Sequence, residues 1–291
     1  MKKKHIIWSR IGLLIFIIFI IIFKYNFNNK SIFFSYPGTK IEFAGEKVPM
    51  DSNYFFNQER FDKEFFITSY NIYQVILYIK RSPLYMPYIE KKLKENDIPD
   101  DFKYLAIAES ALLNNALSTA TAAGIWQFMP DTAKRFGLRV DDKVDERYNA
   151  EKEADAAIKY FKVLYKDLKD WTLVARAYNR GENGIKNAME KQKVSNFYDL
   201  YLNDETSRYV FRILAIKYVM QDYESKKWVI DKLIGDKYYP SETKTIKINK
   251  IDDLYDFASK NNTNYKNIKL LNPWIIGDSL PEGKWEIKIN K

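Results

Sequence analysis

Residues 101–112 read Asp101-Phe102-Lys103-Tyr104-Leu105-Ala106-Ile107-Ala108-Glu109-Ser110-Ala111-Leu112. Phe102, Leu105, Glu109 and Leu112 are spaced by three, four and three residues, so a helix puts them on one face. Three of them are apolar and belong against a core. The fourth is a carboxylic acid. An ionised carboxylate is costly to bury unless it is paired. Desolvation instead raises its pKa and keeps part of it protonated near neutral pH, the property a general acid needs. The same spacing also admits a rotated helix, or a Glu109 paired with an Arg or Lys, and periodicity alone does not separate these readings.

Outward from this stretch the pattern stays helical from about 61 to 234. Residues 84–96 read as one helix, ended near Pro99, and Asp100 is placed to cap the next, which runs through Leu112. Residues 114–124 are small and polar and read as a loop or interrupted helix. A short helix over 131–136 stops at Gly137, a glycine placed for the end of a helix. Amphipathic helices follow over 151–168 and 171–178, then a turn at Asn179-Arg180-Gly181. A last helix spans 205–223, with Tyr209, Ile213, Ile216 and Met220 at helical spacing. After Gly235 the texture changes. Residues 243–249 and 284–291 alternate as half-buried strands do, and flank two short helical stretches at 251–261 and 265–271. Strand, helix, helix, strand make a small separate module over 243–291.

Composition narrows the chemistry. The 291-residue chain is 46% hydrophobic and 29% charged, which suits a folded domain with small appendages. Aromatics reach 16%; they fill cores, and they also wall sugar-binding grooves. The net charge of +9 is spread out, with no like-charge block longer than Lys2–Lys4, and nothing resembles a nucleic-acid stripe. There is no Cys, so disulfides, thiolate zinc sites and Cys nucleophiles are excluded. The single His is His5, which excludes a Ser-His-Asp triad or a His-ligated metal in the body. Acid–base work then falls to Asp, Glu, Tyr or Lys, and no metal or cofactor is expected.

Lys2, Lys3, Lys4 and Arg10 precede the apolar run 11–23, the pattern of a signal sequence. Lys24, Tyr25 and Asn26 follow, with no small-x-small cleavage site, so an uncleaved membrane anchor over 1–24 is expected, with the body outside the cytoplasmic membrane. Residues 25–60 lack clean periodicity and read as a linker that packs partly on a body spanning 61–235.

Several blocks occur in order: Glu109-Ser110, Ser118, Ala123-Gly124-Ile125-Trp126-Gln127-Phe128-Met129-Pro130, Ala177-Tyr178-Asn179 with Gly181, and Glu205-Thr206 with Tyr209-Val210. Together they resemble the signature of the soluble-lytic-transglycosylase domain, most like its membrane-bound D branch, over roughly 102–221. The resemblance implies a lysozyme-like helical catalytic domain, so the fold expected is mainly α. It implies cleavage of the β-1,4 bond between N-acetylmuramic acid and N-acetylglucosamine in peptidoglycan glycan strands. The muramyl 6-hydroxyl then closes on its own anomeric carbon, with Glu109 acting first as acid and then as base. A single carboxyl suffices, unlike the usual pair of glycosidase carboxylates.

The resemblance also gives roles to the other blocks, each with a plainer reading beside it. Gln127 can bond N-acetyl groups, or hold its own loop. Tyr178 can orient Glu109, bond the sugar, or simply fill the core. Asn179 is a contact or a turn residue, Ser118 lies near the cleft, and Met129 lines the groove or the core. Glu205 reads as a helix-start residue. Glu182, in a solvated turn, and Asp131 are the candidates for a second carboxylate, which a hydrolytic muramidase would need. A silent envelope scaffold is the remaining rival.

Residues 251–258, 270–273 and 280–283 follow the order of a LysM glycan-binding repeat, with Lys250-Ile251-Asp252-Asp253 in place of its usual Gly-Asp-Thr turn. This implies a LysM-like βααβ module. The partners implied are peptidoglycan glycan strands and, through the anchor, a membrane; protein partners are unknown.

Overall fold

The computed structural model describes residues 34–291, except for the side chains of 204–206. A short antiparallel hairpin, β1 (Glu42–Phe43) and β2 (Glu46–Lys47), leads into a helical body. Its helices are α1 (Phe55–Tyr70), α2 (Ile72–Glu95), α3 (Lys103–Ser110), α4 (Pro130–Arg135), α5 (Ala150–Leu168), α6 (Trp171–Arg180), α7 (Glu182–Gln192) and α8 (Asp204–Ile234). The fold is mainly helical, as expected.

The helix expected at 84–96 is the second half of α2. Pro83 and Pro87 lie inside it. Each proline lacks an N–H and restricts the residue before it, so the sequence pattern breaks where the helix does not. Burial of Val75, Ile79, Met86, Ile89 and Leu93 holds it together. Residues 101–112 start within a 3-10 turn, Asp100–Phe102, and continue as α3. Asp100 does not cap it; the Asp100 carboxylate pairs with Lys103 at 2.7 Å. The helix stops at Ser110 rather than Leu112, because Ala111 and Leu112 both take left-handed backbone at φ 57°. The turn expected at 179–181 contracts to Gly181 (φ 87°), and Glu182 opens helix α7, an element absent from the sequence reading.

The stretch expected as a linker carries core residues in its described part. Ile41, Phe43 and Val48 are buried with the main core, and α1 begins at Phe55. A buried lysine pins the hairpin in place. Lys217 Nζ of α8 lies 2.8 Å from Asp101 Oδ2 and donates to the Glu42 carbonyl at 2.9 Å, while Ala44 N donates to the same Asp101 oxygen. The core itself is built where α3, α5, α6 and α8 meet, around Phe102, Leu105, Phe161, Leu173, Phe211 and Leu214.

β3 (Thr243–Ile248) and β4 (Trp285–Asn290) pair antiparallel, Ile246 opposite Ile287, around α9 (Leu254–Lys260) and α10 (Tyr265–Leu271). This is the βααβ order expected. On β4 the side chains alternate strictly, with Trp285, Ile287 and Ile289 buried against Leu254, Phe257 and Ile268. Val144, from the body, completes this second core. Among the described residues no helix is long and apolar enough to cross a membrane. The anchor expected over 1–24 lies outside them.

Candidate active site

Glu109 stands in the last turn of α3. Leu105 and Phe102, one and two turns earlier on the same face, are fully buried, while Glu109 keeps part of its surface open to solvent. Its carboxyl is pushed up from 4.5 to about 7. Burial is the main cause. A hydrogen bond from Tyr209 and the positive charge of Arg212 pull the other way. The Tyr209 phenol donates to Glu109 Oε1 from the facing side of α8. Burial and the neighbouring Glu109 charge hold that phenol well above its ordinary range, so it stays a donor. The guanidinium of the fully buried Arg176 lies 5.7 Å from the centre of the Tyr209 ring. A carboxyl balanced near neutral pH, beside a fixed donor, can give a proton and take one back.

The loop over 114–128 forms the adjoining wall. Ala123 and Phe128 exchange both backbone hydrogen bonds, at 3.1 and 3.0 Å, and close a tight turn. Within it the N–H groups of Ile125 and Trp126 donate to the two oxygens of Glu153, at 2.8 and 2.9 Å. Glu153 comes from α5 and is fully buried. Arg147 Nη1 donates to the carbonyls of Thr121 and Phe128, at 2.6 and 3.0 Å, and so grips the loop at both ends. Gly124 is required here. Its φ is +86°, and a Cβ would run into the Arg147 carbonyl oxygen and the Glu153 carboxylate. Ser110 Oγ donates to the Ile125 carbonyl at 2.8 Å, tying the residue after Glu109 to the same turn.

Of the residues singled out from the sequence, Tyr178 and Gln127 join this loop. The Tyr178 hydroxyl donates to the Trp126 carbonyl at 2.8 Å, not to Glu109. Its ring packs against Tyr160 and Phe161, and its phenol is raised first by burial and then by the Glu109 charge, which places the two in one electrostatic environment. Gln127 takes left-handed backbone (φ 52°), and its Nε2 donates to the Gly124 carbonyl at 2.9 Å. The loop-holding role is therefore the one its amide nitrogen fills. Ser118 Oγ accepts from Ala122 N at 2.9 Å and closes a turn. Asn179 is exposed and accepts from Arg176 at 2.7 Å. Met129 is 43% exposed at the start of α4, so it is not a core residue.

Glu182 is not in a solvated turn. It is partly buried in the first turn of α7, 2.8 Å from Lys186 and 3.9 Å from Arg135. Asp131 lies in the first turn of α4. The Glu205 side chain is outside the described ones. No group of three or more His, Cys, Asp or Glu side chains among the described residues could hold a metal ion.

Three residues of the site escaped the sequence reading. Tyr209 was visible in the last block, but its spacing with Ile213 and Ile216 reads as an apolar stripe. Glu153 and Arg147 carried no signal, since a Glu in the first turn of a helix is ordinary. A cavity of about 810 Å³ opens away from Glu109. It lies between the body and the C-terminal module, lined by Tyr85, Tyr88, Asn114, Tyr148, Trp274 and Lys288 among others.

The resemblance carried by the motif order is borne out. Residues 86–200 match the family model described as the Transglycosylase SLT domain, and residues 244–291 match the soluble lytic transglycosylase C-terminal LysM-like domain. The membrane-bound lytic murein transglycosylase D of Escherichia coli K12 is 33% identical over 147 residues, covering 49% of this chain and 32% of that protein. The protein of the same name from Escherichia coli O6:H1 matches to the same extent. The chain thus spans about a third of the length of these relatives. Among solved structures, the 70 kDa soluble lytic transglycosylase of Escherichia coli aligns with 20% identity and a TM-score of 0.39, over 53% of this chain and 25% of that one.

Proposed function

We propose that this chain is a peptidoglycan lytic transglycosylase of the cell envelope, built on a lysozyme-like body, with Glu109 as its catalytic acid and base. The observation that carries the reading is the Glu109 carboxyl, raised to about 7 and held by the Tyr209 phenol. The match of residues 86–200 to the Transglycosylase SLT domain supports the substrate class.

In the first step protonated Glu109 gives its proton to the glycosidic oxygen between N-acetylmuramic acid and N-acetylglucosamine. The C1–O bond breaks, and N-acetylglucosamine leaves with a free 4-hydroxyl. The acetamido oxygen of the muramyl sugar shields the cationic carbon. In the second step the Glu109 carboxylate takes the proton from the muramyl 6-hydroxyl, whose oxygen bonds to C1. A 1,6-anhydro end forms, no water is added, and Glu109 returns to its starting state. Glu182, a candidate second carboxylate, is occupied by Lys186 and Arg135. The loop over 114–128, with Gln127 in its closing turn, would line the groove for the N-acetyl groups.

Mass spectrometry of digested sacculi tests this. Wild type should release 1,6-anhydromuramyl products, and Glu109→Gln should release none. Reducing ends instead would make the enzyme a hydrolytic muramidase. No cleavage by wild type would leave a silent scaffold.

A further inference from the structure

The C-terminal module and the active-site loop share one connector. Residues 139–146 fold back on themselves: Glu146 N donates to the Arg139 carbonyl and Arg139 N to the Glu146 carboxylate, both at 2.8 Å. Asp141 closes the tip by accepting from the N–H groups of Lys143 and Val144. One side of this hairpin is built into the module. Val144 is fully buried in the module's core and bridges Ile275. The Lys143 carbonyl accepts from Ile276 N and Gly277 N, at 2.8 and 3.1 Å, and Asp145 N donates to the Trp274 carbonyl at 2.9 Å. The Arg139 guanidinium lies 5.4 Å from the Trp285 ring centre.

The other end of the connector reaches the catalytic wall. Both Asp145 oxygens engage Arg147, with Nη2 at 2.7 Å and Nε at 2.9 Å. Asp145 and Arg147 are each only 6% exposed. A bidentate, buried carboxylate–guanidinium pair has little freedom to swing. With its head fixed, Arg147 spends Nη1 on the Thr121 and Phe128 carbonyls, the two ends of the turn that presents Gln127 and Trp126.

We propose that the C-terminal module is a structural part of the catalytic site, with Arg147 a positioning residue that transmits the module's docking at Val144 and Asp145 to the 121–128 loop. This rests on the lytic transglycosylase reading, and gives the module a task separate from any glycan binding of its own. Undocking it frees Asp145 N and Val144, loosens the Asp145–Arg147 pair, and lets the turn beside Glu109 shift. A displacement of about 1 Å near reacting groups costs up to about 100-fold in rate.

The test uses the full chain and two readouts. Val144→Asp places a carboxylate in the module's core contact without altering any residue of the module. Arg147→Lys keeps the charge but cannot span Asp145 and two carbonyls together. Lys288→Ala, which removes only the exposed pair with Glu151, is the control. The first readout is kcat and KM on a soluble muropeptide tetrasaccharide. The second is hydrogen exchange at the Ile125 and Trp126 amides, which needs no catalysis. Val144→Asp and Arg147→Lys should each lower kcat about 10- to 100-fold, change KM less, and speed exchange at both amides about tenfold or more; Lys288→Ala should do neither. If either folded variant leaves both kcat and amide exchange at wild-type values, the proposal is overturned. Should Val144→Asp fail to fold, Arg147→Lys decides alone. Should wild type prove inactive, the catalytic reading falls, and the exchange data still decide whether the module braces the loop.

Discussion

The Tyr209 phenol donates a hydrogen bond to Glu109 across 100 residues of sequence, from α8 to the end of α3. Together with the Arg212 charge it opposes the effect of burial on Glu109. Both groups sit where charge is costly, and each sets the other's proton affinity: Tyr209 favours the carboxylate, and the carboxylate holds the phenol proton in place.

Tyr209→Phe removes the donor that favours ionised Glu109. The Glu109 pKa then rises above its value of about 7, and the alkaline limb of the kcat/KM profile moves to higher pH. Loss of the fixed partner lowers kcat about 10- to 100-fold. A pH–rate profile on soluble glycan fragments checks both. An unmoved limb would show that Tyr209 does not act on Glu109.

Glu109 also makes stability depend on pH. Its pKa is about 7 in the folded chain and 4.5 in the ordinary range, so the folded state binds the proton more tightly. Stability is full below about pH 4.5, falls as pH rises towards 7, and is level above that. The loss amounts to at most about 3 kcal/mol. Glu109→Gln abolishes this slope, so its stability relative to wild type should improve between pH 4 and pH 8. Urea unfolding at several pH values measures it, and a difference that does not vary with pH would refute the raised pKa.

Gly124→Ala should be among the most damaging single substitutions. The new Cβ meets the Arg147 carbonyl and the Glu153 carboxylate, and the φ of +86° is itself unfavourable. The expected loss is about 2–4 kcal/mol, with activity falling in step as the loop is displaced. Thermal unfolding and sacculus clearing report the two effects.

Lys217→Met separates stability from chemistry. It leaves the partly buried Asp101 without its cation and unties the 42–47 hairpin from α8. Stability should drop by about 3 kcal/mol, while kcat and KM on a soluble substrate stay within about twofold at temperatures where the variant is folded. A large change in kcat would make the hairpin part of the catalytic machinery.

The helical class and the βααβ tail were legible because both rest on local periodicity. β4 alternates strictly, and the stripe of Phe102 and Leu105 around Glu109 is a pattern that a single helix must bury. Boundaries were less legible where two local rules competed. Pro83 and Pro87 signal a break that tertiary burial of α2 overrides, and nothing in Ala111-Leu112 announces two left-handed residues in succession. Gln127 and Tyr178 stand out by their motif, yet in the folded chain both donate to backbone carbonyls of the loop, a distinction no motif carries.

The sequence by itself determined that any acid–base chemistry in the body falls to Asp, Glu, Tyr or Lys, since the chain has no Cys and its single His lies near the N-terminus. It also determined which acid stands on an apolar helix face. Only the tertiary structure decided that this acid meets Tyr209, that Glu153 and Arg147 hold the neighbouring turn, and that the C-terminal module is bolted to the same connector. The reason is physical. Helix and strand patterns record whether a face is buried, through a period fixed by backbone geometry. The partner of a buried polar group is set by which distant segments the core brings within hydrogen-bonding distance, and that is a property of the packed chain as a whole.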